Sequence, residues 1–268
     1  TAIQTPIGPR RAYFDRADDD WVADDEYGAE YGDETQMSAL PSPEEPRIFV
    51  VANQKGGVGK TTLCTLFANY LVAKNIPVLV IDCDGQQTIF EKRKVDIKKY
   101  GEDAFSYNIQ PFNIANVDKV KAMMSNVRQM DGVILIDSPG HLAQQGLIPL
   151  FANADYIVCP YQYEATSVNS TVTFTVFIKR LEEKIKEMRC SIFFVPNKFD
   201  SRVGKKEELE LWKQTEDAFA KHGINAPRIK MKADLQRYNT VAINDTVKED
   251  LYPTFDFIYS KAFNNTDK

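Results

Sequence analysis

The run Asn53-Gln-Lys-Gly-Gly-Val-Gly-Lys-Thr-Thr62, entered directly from the apolar segment Ile48–Ala52, constrains this chain more than any other feature. Closely spaced glycines let a backbone wrap around a phosphate. A helix opening immediately afterwards adds free N–H groups and the positive end of its dipole. The stretch 61–74 carries Leu63, Phe67, Tyr70 and Leu71 at helical spacing, so strand, glycine loop and helix follow one another. In that context Lys60 would reach the β- and γ-phosphates of a nucleotide, and the Thr61 hydroxyl would bind Mg²⁺. The common spacing places a further glycine six residues before the lysine, where this chain has Gln54. The bland alternative is a flexible Gly-Lys loop without a ligand, and the flanking strand and helix argue against it.

Apolar runs bounded by turn signals recur at Ile48–Ala52, Val78–Ile81, Val133–Ile136, Tyr156–Cys159 and Ile192–Val195. Continuous rather than alternating apolar character marks strands buried on both faces, as in a parallel sheet. Between them the pattern predicts helices over 61–74, 117–130, about 167–188 and 205–222. Strands alternating with helices imply an α/β fold with a doubly wound, mainly parallel sheet flanked by helices. Ligands then sit at the carboxyl ends of the strands.

Those strand ends carry acid. The second run closes with Asp82-Cys-Asp-Gly-Gln-Gln87 and the third with Ile136-Asp137-Ser-Pro-Gly140. Asp82, Asp84 and Asp137 around one glycine loop suit a water-mediated Mg²⁺ shell and a positioned attacking water. Asp82 or Asp84 alone would read as a cap on the helix that follows.

Charge divides the chain in two. Residues 1–46 carry three arginines against twelve carboxylates, a net −9, so the remaining 30 Lys+Arg and 26 Asp+Glu leave a body of +4. The head shows no sustained period and is rich in Asp, Glu, Gly and Pro. It is expected to be a disordered acidic tail ending in the extended linker 39–46, with the folded domain over 47–268. Its Tyr13, Phe14, Trp21, Tyr27 and Tyr31 also suit a partner-binding peptide, and a fused or processed segment is a further option. No apolar run is long enough to span a bilayer and no leader pattern opens the chain, so a cytoplasmic location is expected. Cys64, Cys83, Cys159 and Cys190 form no C-x-x-C pair and read as small buried thiols.

Taken together, these motifs resemble the ParA/MinD family of deviant Walker A ATPases, and within it the ParA-type partition ATPases. Lys55-Gly-Gly-Val-Gly-Lys-Thr-Thr62 is similar to the family's lysine-flagged loop, and Val78–Gln86 to its second motif. Val133–Gly140 is similar to its Walker B strand, and Ala154–Pro160 to the strand after it. The resemblance spans roughly 47–262. Gly85 stands where the family usually has Pro, and Gln87 where it usually has Gly. The resemblance implies binding of ATP and Mg²⁺ and a nucleotide-dependent homodimer. It implies weak hydrolysis stimulated by a ParB-like activator, and nonspecific DNA binding with nucleoid association. ATP contacts would come from Lys55, Gly56, Gly57, Val58, Gly59, Lys60, Thr61, Thr62 and Asn197. Lys55 would cross to the partner's phosphates, Asp84 would act on the attacking water, and Thr61, Asp82 and Asp137 would support the metal.

Base choice stays open. Asn197-Lys-Phe-Asp200 reads literally as N-K-x-D, in which GTPases use the Asp on guanine. The family resemblance instead implies that Asn197 contacts adenine. Candidate DNA contacts are Lys205, Lys206, Arg228, Lys230, Lys232 and Arg237, which also read as ordinary solvated charge. The aromatic C-terminal segment 255–268 has only two lysines. That argues against a MinD-like membrane helix and for one packed on the body. A metal carrier would need clustered cysteines and a Walker-type tyrosine kinase a terminal tyrosine cluster, and neither is present.

Overall fold

The computed structural model describes residues 46–200, 202 and 204–263, together with two short strands, β1 (Ala12–Asp15) and β2 (Asp20–Ala23). Seven further strands form one parallel sheet. They are β3 (Arg47–Val51), β4 (Val78–Asp82), β5 (Asn108–Pro111), β6 (Val133–Asp137), β7 (Tyr156–Tyr161), β8 (Ser191–Pro196) and β9 (Ile224–Asn225), in the spatial order β5-β4-β6-β3-β7-β8-β9. The helices are α1 (Lys60–Ala73), α2 (Thr88–Tyr100), α3 (Val117–Val127), α4 (Leu147–Ala152), α5 (Ala165–Lys184), α6 (Lys206–Phe219) and α7 (Asp245–Phe263).

Alternate residues of each strand feed opposite cores. Ile48, Val50, Ile134, Ile136, Ile157 and Phe194 pack with α3, α4 and α5. Phe49, Val51, Leu135, Val158 and Phe193 pack with α1 and α7 on the other face. Full burial on both faces explains why the strands read as unbroken apolar runs. Strands β3 and β6 are direct neighbours, yet one leads to α1 on one face and the other to α4 on the opposite face. A crevice therefore opens at their carboxyl ends, where such sheets bind ligands.

The doubly wound parallel sheet and its five predicted strands are present, with helix ends shifted by a few residues. The helix expected over 117–130 stops at Val127. Two strands went unanticipated: β5 is Asn-Ile-Gln-Pro at a sheet edge, and β9 is two residues long. Helix α2 also went unanticipated, because its buried face includes Arg93 and Asp96 and so breaks the apolar period. Of the C-terminal segment expected at 255–268, residues 255–263 pack on the body as part of α7, burying Phe255, Ile258 and Ala262. All four cysteines are free and buried.

Within the acidic head β1 pairs antiparallel with β2, setting Tyr13 opposite Val22 and Phe14 opposite Trp21. Aromatic and β-branched residues favour such pairing, and two strands of four residues are too short to register as a period. The rest of the segment, with residues 39–45 of the linker expected at 39–46, lies outside the described residues. Among the described residues no helix is long and apolar enough to cross a membrane.

Candidate functional site

The glycine loop lies between β3 and α1 at the floor of a pocket of ≈ 580 Å³, which Lys60, Thr61, Asp84, Asn197 and Lys232 help to line. Loop shape is set by side chains that hold its carbonyls. Lys60 Nζ donates to the Lys55 carbonyl at 3.3 Å, and Asn197 Nδ2 to the Val58 carbonyl at 2.7 Å. Across a trans peptide the carbonyl and the next N–H point opposite ways. Fixing the Lys55 and Val58 carbonyls therefore turns the Gly56 and Gly59 N–H groups the other way, as an anion nest requires. Gly59, the N-cap of α1, has φ +99°, and a Cβ there would lie 2.4 Å from Asn197 Nδ2. The loop's entrance is held by Asn53, whose amide donates to the Pro160 carbonyl and Thr171 Oγ1, both at 2.8 Å.

Thr61 Oγ1 donates to Asp137 Oδ2 at 2.8 Å, while the buried Asp137 Oδ1 has no hydrogen-bond partner. Burial pushes the Asp137 carboxyl up to about 8; the Thr61 bond opposes this, Asp82 adds to it, and Lys60 opposes it. Burial likewise lowers the Lys60 ammonium, against the pull of Asp137 and Asp84. A buried ammonium and a buried carboxylate with one unpartnered oxygen, beside a hydroxyl, fit phosphate oxygens and a divalent cation. Among the described residues no cluster of three or more His, Cys, Asp or Glu could hold a metal alone. An ion at Thr61 would therefore complete its shell with phosphate and water, as Mg²⁺ commonly does.

The three carboxylates do different work. Asp82 Oδ2 accepts from the Ile89 and Phe90 N–H groups at 2.9 and 3.1 Å, and its Oδ1 from Asp84 N–H at 3.3 Å. It ties the start of α2 to the end of β4, so the capping role weighed for it from the sequence is the contact present. Burial raises its pKa against those three N–H groups. Asp84 reaches the pocket lining, and its Oδ1 accepts from Gln86 N–H at 2.9 Å. Gln87, where the resembling family usually has glycine, takes φ +49°, so the position keeps the left-handed backbone without the glycine.

Lys55 is half-buried at the loop's edge, and its Nζ donates to Thr166 Oγ1 at 3.1 Å at the start of α5. Of the basic residues suggested for DNA, Arg228 is engaged internally. It bonds both Glu216 oxygens at 2.8 and 3.0 Å and lies over the Tyr163 and Phe199 rings. Lys230 and Lys232 both pair with the buried Asp250, and Arg237 with Asp234. Lys205 and Lys206 are exposed at the start of α6. Asp200, three residues after Asn197, has both oxygens taken by Arg202 Nε and Nη2 at 2.9 and 2.7 Å, which holds its carboxyl down at about 2. Sequence reasoning missed Thr166, for which no local signal exists, and Lys198, whose only signal was its place beside Asn197.

The family described as "CobQ/CobB/MinD/ParA nucleotide binding domain" matches residues 49–236, most of the sheet and the entire glycine loop. The chain belongs to this family. This ParA/MinD-type chain is 25% identical over 171 residues, 52% of its length, to an uncharacterised protein of Pseudomonas putida. It is 30% identical over 122 residues, 45% of its length, to a maintenance of carboxysome distribution protein A from Gloeobacter kilaueensis. It spans 65% and 51%, respectively, of the length of these two relatives. Its fold superposes on a plasmid partition protein from Borrelia burgdorferi bound to AMPPNP with a TM-score of 0.63 at 20% identity, covering 81% of this chain and 99% of that one. The description common to the family is nucleotide binding.

Proposed function

We propose that this chain is a Mg²⁺-dependent ATPase that dimerises on ATP, binds DNA nonspecifically in that state, and so partitions or positions a cargo under the control of a ParB-like activator. The observation that carries the reading is the Thr61–Asp137 bond beside the buried Lys60, at the mouth of a loop whose carbonyls are held outward. Bound Mg²⁺ would be held through Thr61, with Asp137 behind it, and would neutralise charge on the phosphates. The N–H groups of the loop and Lys60 cradle the β- and γ-phosphates. Asp84, on the turn after β4, orients the attacking water.

Lys55 has nothing to neutralise within its own loop and rests on Thr166. In a face-to-face dimer it would reach the partner's phosphates and stabilise the charge that develops as the phosphoryl group transfers. Asp200 favours adenine over guanine here. Guanine would need two carboxylate oxygens for its N1–H and N2–H groups, and Arg202 already occupies both. Lys205 and Lys206, exposed at the start of α6, remain the DNA candidates whose side chains are least engaged with carboxylates.

Light scattering behind size exclusion tests the reading. The chain should run as a monomer in Mg-ADP and as a dimer in Mg-ATPγS, and only the dimer should shift a fluorescent duplex at low salt. A chain that binds ATP yet stays monomeric at every concentration would remove the positioning reading and leave a simple nucleotide hydrolase.

A further inference from the structure

The backbone after β8 turns sharply at Lys198 and brings its side chain back to the glycine loop. Lys198 has φ +56°, a left-handed conformation that is uncommon for a residue with a long side chain. Its backbone N–H donates to Asn197 Oδ1 at 2.9 Å, and its Nζ donates to the Gly57 carbonyl at 2.6 Å. Gln162 Nε2 approaches the same carbonyl at 3.3 Å. The turn thus aims two consecutive side chains at two consecutive loop carbonyls, Asn197 at Val58 and Lys198 at Gly57.

The planar peptide couples these groups as it does at Lys55 and Val58. Fixing the Gly57 carbonyl fixes the Val58 N–H in the opposite direction. Together with the Lys60 contact, three carbonyls are held and three N–H groups, those of Gly56, Val58 and Gly59, are oriented. Glycine-rich backbone has no such preference of its own, because Gly57 at φ +78° and Gly56 have open space around them.

We propose that Lys198 is a positioning residue for the phosphate loop: its ammonium holds the Gly57–Val58 peptide so that the Val58 N–H faces the β-phosphate. This rests on the nucleotide-binding reading of the same site and is independent of which base is bound. The ammonium acts on the carbonyl, and the carbonyl's peptide acts on the ligand. Arg202 closes off Asp200, so within this N-K-x-D segment Asn197 and Lys198 serve the loop and the Asp does not read a base.

The test is Lys198→Met, which keeps the length of the side chain and removes the donor, compared with Lys198→Arg, which keeps N–H donors. Calorimetry on the full chain would measure inorganic pyrophosphate, ADP, ATP and AMP. Lys198→Met should weaken pyrophosphate, ADP and ATP alike, by about tenfold, the scale of one charge-assisted hydrogen bond. AMP, which has no β-phosphate, should be unaffected, and Lys198→Arg should recover part of the loss. Amide hydrogen exchange of the free protein should speed up at Val58 in the Met variant. A loss confined to ATP would make Lys198 a direct γ-phosphate ligand and overturn the proposal. An equal loss for AMP would make it a base contact, and no change for any ligand would make the bond idle; both also overturn it. If the wild-type chain binds none of the four ligands, the nucleotide reading itself has failed, which is a separate result.

Discussion

Replacing Gly59 by alanine should damage the loop through two countable terms. The residue sits at φ +99°, where an L-residue is disfavoured by roughly 1–2 kcal/mol. Its new Cβ would lie 2.4 Å from Asn197 Nδ2, so the amide must leave and the Val58 carbonyl loses its donor. An orphaned buried carbonyl costs about 1–3 kcal/mol. The sum is about 2–5 kcal/mol, or between about 30-fold and several thousandfold in an equilibrium constant. The loop can relieve most of this strain by abandoning its phosphate-ready shape, because Val58 is its one buried apolar side chain. The loss should therefore fall on ligand affinity more than on global stability. Calorimetry should show ADP binding weakened at least about 30-fold, with the melting temperature lowered by less than about 4 °C, the shift of roughly 1 kcal/mol for a domain of this size. An alanine variant that binds ADP within threefold of the parent would show that the Asn197 contact and the left-handed backbone do not shape the site.

Other consequences are as direct. Asp84→Ala should bind ATP and dimerise like the parent but lose hydrolysis, since its carboxylate lies on the pocket wall and holds no loop atom; phosphate release at the parental rate would leave Asp84 only a turn former. Glu216→Gln should destabilise the fold by about 1–3 kcal/mol at pH 7, as a charged hydrogen-bond pair with Arg228 is lost. Burial raises the Glu216 carboxyl, but bonds from Arg228 and Tyr163 bring it below its ordinary value of 4.5. Its contribution is thus complete above that value and fades as pH falls through the depressed one, so melting curves of the two proteins should converge in acid. A chain beginning at Pro46 should bind duplex DNA more tightly in ATP than the full chain, because the acidic head of charge −9 no longer competes; the difference should shrink with salt, and equal binding at every salt concentration would mean the head never meets the body.

The sheet and the glycine loop were legible because each is written locally: five buried strands as unbroken apolar runs, the loop as adjacent glycines between a strand and a helix. Helix α2 was not, since Arg93 and Asp96 lie on its buried face. Arg93 satisfies itself on the Tyr107 and Thr240 carbonyls, and Asp96 accepts the Thr240 N–H and hydroxyl. Neither partner is visible from within the helix. The roles of the basic residues were hidden for the same reason. Arg228 looks like free charge until Glu216 is placed beside it, and Lys232 until α7 brings Asp250. At the site, the acids were found at the right strand ends, but their division of labour depends on which backbone N–H groups face them. Asp82 meets three and Asp137 meets a hydroxyl, a difference set by where α2 begins.

The glycine loop should bind Mg-ATP through Lys60, whose side chain is buried where the loop enters α1. Titration calorimetry of Mg-ATP into the full chain and into Lys60→Ala tests it most directly. Saturable one-to-one binding is expected for the parent and no measurable heat of binding for the variant, with both proteins folded by circular dichroism. Near-normal affinity in Lys60→Ala would contradict it.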